Sequence, residues 1–417
     1  MKTLYLHKYS EIHFFGMKFN LKNMGKYDFD QLIDRHGSGA LKVDALDEFY
    51  GRNDLLALWV ADMDFAVAPR IQASLVKRME HPTYGYAAVP QSYWNSIIDW
   101  LDRRHGWKVA REEITYVPGV VKAIGYAINY FTQPGDPILI QPPVYHPFKR
   151  LVEGNKRILV NNPLVLDDSG RYRMDFDDLE AKFRERHPKM MILCNPHNPA
   201  GIQWDKESLV RVADLAKKYG VIVVSDEIHG DLMLRGEAHI PFASVSDAAA
   251  EVAVTFGAPS KTFNIAGLVS SWCVVKNPAL RDPFFEWLEV NEFNAPTFVA
   301  TLGTEVAYTC GEDWLDEVLK YIEGSFDMVD EILHERLPAI KMTKSNASFL
   351  AWLDCRGLGL THQELINLFV DKAHLALNDG AMFGEEGEGF MRLNLGSPRS
   401  VIREALATLE ECISANS

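Results

Sequence analysis

The chain has 417 residues, room for two or three domains, and its 47% hydrophobic and 24% charged residues exclude a disordered or fibrous polypeptide. Its 43 Lys and Arg against 57 Asp and Glu leave a formal net charge of −14, the wrong sign for a general binder of nucleic-acid backbone. No apolar run approaches the roughly 18–20 residues of a bilayer span, and the interrupted N-terminus MKTLYLHKYSEIHFFGMKFN is a poor signal peptide. Five scattered cysteines without a CxxC pair fit neither a disulfide framework nor a zinc site. The expectation is a soluble, cytoplasmic, acidic protein of enzyme size, with neither nucleic acid nor membrane as partner.

Taken in chain order, helical spacing of apolar residues appears at 71–79, just after Pro69, and again at 92–105. Between them, residues 81–90 are turn formers and aromatics, which predicts an ordered loop. The rhythm then changes. Short β-branched runs at 137–140, 190–193, 221–224 and 252–255 alternate with helical stretches such as 207–219. Continuous apolar strands separated by helices predict a mostly parallel sheet covered on both faces. A long amphipathic helix is expected at 313–337, ahead of Pro338, then strands at 348–353 and 390–395, and a closing helix at 399–413. The fold class is therefore α/β. Residues 60–300 form a large domain with a mostly parallel sheet between helices, and 310–417 a smaller α+β domain. Residues 1–59 are an N-terminal segment packing on the smaller domain; no function is assigned to 1–15.

The chemistry sits in the segments just after the central strands. The run at 190–193 leads into Cys194-Asn-Pro-His-Asn-Pro-Ala-Gly201, that at 221–224 into Ser225-Asp-Glu-Ile-His-Gly-Asp231, and that at 252–255 into Gly257-Ala-Pro-Ser-Lys-Thr-Phe-Asn264. Parallel α/β sheets bind ligands outside the carboxyl ends of their strands, so an amide, an acid with a nearby His, and a Ser-Lys pair would meet in one crevice. Singly, each has a bland explanation: a helix cap, a turn, a solvated lysine. Together they match pyridoxal 5'-phosphate, whose aldehyde needs an amine, whose ring nitrogen needs a carboxylate and whose phenolic oxygen needs donors. Its phosphate needs N–H groups at a helix start, and Tyr116-Val-Pro-Gly119-Val-Val-Lys opens such a helix. Neither GxGxxG nor GxxxxGK[ST] occurs, so nucleotide-cradle readings lose.

The motifs also resemble a known family, the fold-type I pyridoxal-phosphate enzymes of the class I/II aminotransferase superfamily, from about residue 26 to the C-terminus. Within it the resemblance is to the cystathionine β-lyase and cystalysin branch, the MalY and PatB type. The matching stretches are Leu58-Trp-Val-Ala-Asp-Met-Asp-Phe65, Tyr84-Gly-Tyr86, Pro142-Pro-Val-Tyr-His-Pro-Phe148, Asn195-Pro-His-Asn-Pro199, Ser225-Asp-Glu-Ile-His-Gly230, Ser260-Lys-Thr-Phe-Asn-Ile-Ala-Gly-Leu268 and Met391-Arg-Leu-Asn-Leu395.

Strand-end chemistry and resemblance together assign the residue roles. Lys261 is the catalytic lysine that condenses with the cofactor aldehyde and, once released, takes the substrate Cα proton. Asp226 keeps the ring nitrogen protonated, and Asn198 bonds the phenolic oxygen. Tyr145 resembles the aromatic stacked on the ring. Ser260 and the N–H groups of Val120 and Val121 hold the phosphate. Tyr86 resembles the tyrosine that reaches a neighbouring subunit's phosphate, implying a homodimer with shared active sites; Tyr84 stands two residues away. Arg392 resembles the arginine that clamps the α-carboxylate of a small amino-acid substrate. Tyr93, Trp59 and His146 either line the pocket or pack. Two departures from the aminotransferase pattern stand out. Position 229, commonly tyrosine, is His229, as in the lyase branch, and residues 265–270 lack the usual phosphate-binding arginine. The resemblance implies a β-lyase cleaving cystathionine or related cysteine S-conjugates to thiol, pyruvate and ammonia. The alternative is an aminotransferase.

Overall fold

The computed structural model describes residues 27–415, together with the backbone of the paired strands Glu11–Phe14 and Met17–Asn20. The expectation for 1–15 otherwise lies outside the described residues, as do the last two residues of 310–417. A seven-stranded sheet forms the larger layer, in the spatial order Ile114–Val117, Ser271–Val274, Ala253–Gly257, Ile222–Asp226, Met190–Cys194, Pro137–Ile140 and Ile158–Asn161. Only Ser271–Val274 runs antiparallel to its neighbours. The central strands are buried throughout, because helices cover both faces and leave no polar side to face water.

Those helices split the apolar interior in two. Val120–Phe131, Pro147–Gly154 and Pro278–Val290 pack on one face, and Gln91–His105, Lys206–Tyr219 and Phe298–Cys310 contribute to the core on the other. The 25-residue helix Glu312–Arg336 then leads to a four-stranded antiparallel sheet, ordered Lys341–Met342, Leu350–Asp354, Phe390–Asn394 and Asn378–Asp379. The final helix, Arg399–Ser414, covers it. Leu56–Ala57 pairs in parallel with Leu375–Ala376, the Tyr50 hydroxyl donates to the Leu377 carbonyl at 2.9 Å, and the Leu58 carbonyl accepts the N–H of Asn394 at 3.0 Å, so residues 50–58 are stitched to the smaller layer.

Three strand starts differ from the apolar pattern, each for a local reason. Val221 belongs to a helix stop: Gly220 adopts φ 67° and the Val221 N–H bonds back to the Ala216 carbonyl at 2.8 Å. Val252 closes the helix Asp247–Val252, whose first turn Ser246 caps through the Ala249 N–H. Ser348 turns through φ 74°, so its strand begins only at Leu350. The helix Phe298–Cys310 escapes periodicity because nearly every residue in it is buried, leaving no polar face to mark one. No helix among the described residues is long and apolar enough to cross a membrane.

Candidate active site

Lys261 sits on the four-residue helix Pro259–Thr262, immediately beyond the strand Ala253–Gly257. Its Nζ donates to the Ala61 carbonyl at 2.5 Å. Burial lowers its pKa to about 8; Asp62 and Asp226 pull upward, while Arg392 pushes further down. The neighbouring strand end carries Asp226, in register with Cys194 on one side and Phe256 on the other. Among the described residues the only hydrogen bond donated to its carboxylate comes from the Ile228 N–H, at 3.1 Å. Burial pushes this carboxyl up to about 7, with the Ile228 bond and Lys261 opposing and Glu227 adding to the rise.

The third strand end brings Asn198 against Arg392, which arrives from the smaller sheet. The Arg392 guanidinium donates to Asn198 Oδ1 at 3.0 Å, the Trp59 carbonyl at 3.0 Å and Asn378 Oδ1 at 2.5 Å. Its buried Nε has no partner among the described residues, and its Cζ lies 5.0 Å from the centroid of the Phe383 ring. Burial holds it down to about 10. Since Asn198 Oδ1 is committed to Arg392, the Nδ2 amide is the donor Asn198 has left to offer. Tyr145 is tied to the same loop by its N–H on the Asn198 carbonyl at 3.0 Å. Burial raises its phenol pKa, with Arg392 opposing and Asp226 adding.

His229 is buried, its Nδ1 3.1 Å from Ser348 Oγ. Burial, then Lys261 and Arg392, depress its pKa to about 3, so the ring is neutral. At the edge of the crevice, helix Val120–Phe131 begins after Gly119, whose φ of 103° requires glycine. No side chain caps the first-turn N–H groups of that helix, and a Cβ on Gly119 would meet nothing within 4 Å, so there is free space beside Gly119. Ser260, next to Lys261 in the chain, is buried, and its hydroxyl makes no hydrogen bond to another described residue.

These groups fit pyridoxal phosphate on their own chemistry. A buried carboxylate lacking a cationic partner, a lysine whose pKa burial has lowered, and an uncapped helix start complement a cationic ring nitrogen, an aldehyde and a phosphate respectively. Residues 57–409 match the family model described as aminotransferase class I and II. The chain belongs to the class I and II aminotransferases. Among characterised relatives, this aminotransferase-family chain is 42% identical to the cystathionine β-lyase PatB of Bacillus subtilis (strain 168), over 93% of its own length and 100% of that protein. It is 31% identical to protein MalY of Escherichia coli (strain K12), over 93% and 99%. Cystalysin from Treponema denticola, whose crystal structure contains pyridoxal 5'-phosphate, superimposes with a TM-score of 0.90 at 33% identity, covering 94% of this chain and 100% of that one.

Of the remaining candidates, Tyr86 is fully exposed, whereas Tyr84 is bound to its own chain by a 2.8 Å hydrogen bond to the Met79 carbonyl and by stacking on Phe298. Tyr93 is wholly buried against Trp94 in the apolar core, which assigns it to packing. Trp59 gives its carbonyl to Arg392 while its indole N–H bonds the Lys42 carbonyl at 2.8 Å. His146 is half-buried beside Phe383, and burial, Arg392 and Arg150 lower its pKa to about 4.

Reasoning from sequence missed the residues that hold this family's site in place. Asn264, at φ 57°, accepts the Met63 N–H at 3.0 Å and donates to the carbonyls of Met63 and Phe65 at 2.8 and 3.0 Å. It thereby fixes the loop whose Ala61 carbonyl meets Lys261. The same loop is anchored from behind by Arg35 on Asp62 and Asp64 and by buried Lys42 on Asp64, all at 2.6 Å. Asn378, the second amide on Arg392, was also missed. The paired Asp62 and Asp64 were visible as a motif, but their cationic partners lie 20 or more residues upstream with no periodicity to flag them.

Proposed function

We propose that the protein is a pyridoxal-phosphate-dependent carbon–sulfur β-lyase, cleaving cystathionine or a related cysteine S-conjugate to a thiol, pyruvate and ammonia. What carries the reading is a half-buried Lys261 of lowered pKa, in the field of Asp226 and Arg392, in a chain 42% identical over 93% of its length to a cystathionine β-lyase.

When bound, the cofactor supplies an aldehyde for the substrate amine and a cationic ring that accepts electron density from Cα. Asp226 holds the ring nitrogen's proton by charge, Asn198 donates through Nδ2 to the phenolic oxygen, and Tyr145 covers the ring face. Val120 and Val121 N–H groups and Ser260 take the phosphate. Arg392 clamps the substrate carboxylate, oriented by Asn198, Asn378 and the Trp59 carbonyl before any substrate arrives, so little ordering remains to be done. The Lys261 amine, easily deprotonated near pH 8, takes the Cα proton. The thiolate leaves from Cβ, and the released aminoacrylate adds water to give pyruvate and ammonia. His229 completes the cofactor contacts.

By the same reading, residues 60–300 act as the cofactor domain, 310–417 as the smaller domain, and the chain before 60 as its attachment. The working form is a cytoplasmic homodimer in which exposed Tyr86 reaches the partner's phosphate. The test is stoichiometry: incubated with cystathionine, the enzyme yields thiol, pyruvate and ammonia in equal amounts. A keto acid retaining the intact sulfur side chain, without free thiol, would overturn the lyase reading in favour of transamination.

A further inference from the structure

Residues 346–349 form a strap between the two sheets. The Asn346 and Ala347 N–H groups both bond the Gly201 carbonyl at 2.9 Å, and the Leu234 N–H bonds the Asn346 carbonyl at 3.0 Å. The Ser348 N–H bonds the Leu232 carbonyl at 2.7 Å, and the Phe349 carbonyl accepts the Leu395 N–H at 2.8 Å. Two of the three strand-end loops of the large sheet, and a strand of the small one, thus meet at this turn. Gly201 permits the approach: at φ 63° a Cβ there would lie 2.8 Å from Ser345 Cβ and 2.9 Å from the Ala347 carbonyl.

Within the strap, Ser348 occupies φ 74°, a region that favours glycine. A buried serine kept where glycine is easier needs a reason in its hydroxyl. That hydroxyl has one partner among the described residues, His229 Nδ1 at 3.1 Å. Burial, with the charges of Lys261 and Arg392 adding to it, keeps the His229 ring neutral, so one ring nitrogen carries a proton and the other accepts. Nε2 has no partner among the described residues.

We propose that Ser348 is a positioning residue that donates its hydroxyl to His229 Nδ1, thereby fixing the tautomer in which Nε2–H points its proton into the crevice shared with Lys261 and Arg392. A donor there suits an anionic oxygen, which the two cations also attract. The inference rests on the cofactor reading and adds the residue that sets which nitrogen of His229 is the donor.

The test is a double-mutant cycle read by the pH dependence of the bound cofactor's absorbance, in the holoenzyme and the variants Ser348→Ala, Ser348→Gly, His229→Phe and the pairs. Both Ser348 substitutions should move the midpoint by about half a pH unit and weaken cofactor binding roughly three- to tenfold, the scale of one neutral hydrogen bond. Neither should add a further shift once His229 is Phe. Selective 15N labelling of histidine in the cofactor-free protein should report a protonated Nε2, losing its single-tautomer signal in Ser348→Ala. Glycine suits φ 74°, so Ser348→Gly keeps the backbone conformation while removing the hydroxyl together with its Cβ, and Ser348→Ala removes the hydroxyl alone. A midpoint shifted by His229→Phe but by neither Ser348 variant overturns the proposal. So does wild-type behaviour in Ser348→Gly alone, which would assign any alanine effect to the backbone. If His229→Phe itself leaves the midpoint unmoved, the His229 contact beneath the proposal fails instead.

Discussion

Asp226 and Lys261 are both shifted towards their neutral forms by burial, and each makes a prediction about protonation. The Asp226 carboxyl, raised to about 7 from an ordinary value near 4, destabilises the cofactor-free fold increasingly as pH climbs through that interval and fully above it. Asp226→Asn keeps the acceptor for the Ile228 N–H without the charge. It should stabilise the cofactor-free protein by about 2–4 kcal/mol at pH 8, with the gain vanishing near pH 4, as followed by denaturant melts. The same substitution should lower turnover roughly a thousandfold, whereas Asp226→Glu should lose far less, because only a carboxylate keeps the ring proton by charge. An Asn variant as active as wild type would reduce Asp226 to a cap. For Lys261, borohydride reduction of the yellow holoenzyme should fix the cofactor to the peptide containing this residue. Lys261→Ala should bind cofactor yet not turn over; label on another lysine would remove the assignment.

At the scale of elements, three parallel strand ends deliver Asn198, Asp226 and Lys261, and one antiparallel strand of the smaller sheet delivers Arg392. The delivery was legible in the chain because buried parallel strands read as uninterrupted β-branched runs, and polar residues directly after them have few structural reasons to be there. The supports were not legible. Asn264, Asn378 and the Arg35–Lys42 pair act across separations that leave no periodic trace, and Ser348 looked like a strand residue because the apolar run hid its φ of 74°. The strands Ile114–Val117, Ile158–Asn161 and Ser271–Val274 were missed for a related reason: Thr115, Asn161 and Ser271 break each into a run too short and too mixed to stand out as apolar. The helix start at Val120 supports one prediction at this scale. Gly119→Val must hold φ 103°, which a β-branched residue resists, so it should distort the first turn. Cofactor affinity should fall at least tenfold in a fluorescence titration, about 1.4 kcal/mol, more than the melting temperature of the cofactor-free protein suffers.

For the whole molecule, the exposed Tyr86 and the chain-bound Tyr84 divide the labour expected of the 81–90 loop. An aromatic side chain projecting from one subunit, in a family whose resemblance implies shared sites, predicts complementation. Tyr86→Ala and Lys261→Ala subunits, each inactive alone, should regain about a quarter of wild-type activity after dissociation and mixing, since half the dimers are hybrids with one intact site. No recovery despite proven exchange would remove Tyr86 from the partner's site.

The central claim is that this arrangement expels a thiolate from Cβ and needs no second substrate to restart. Cystathionine and enzyme are mixed without any keto acid, and pyruvate and thiol are measured over time. The account predicts linear release of both through many turnovers. A single turnover per active site, resuming only when a keto acid is added, would contradict it and make the protein an aminotransferase in activity as well as in family.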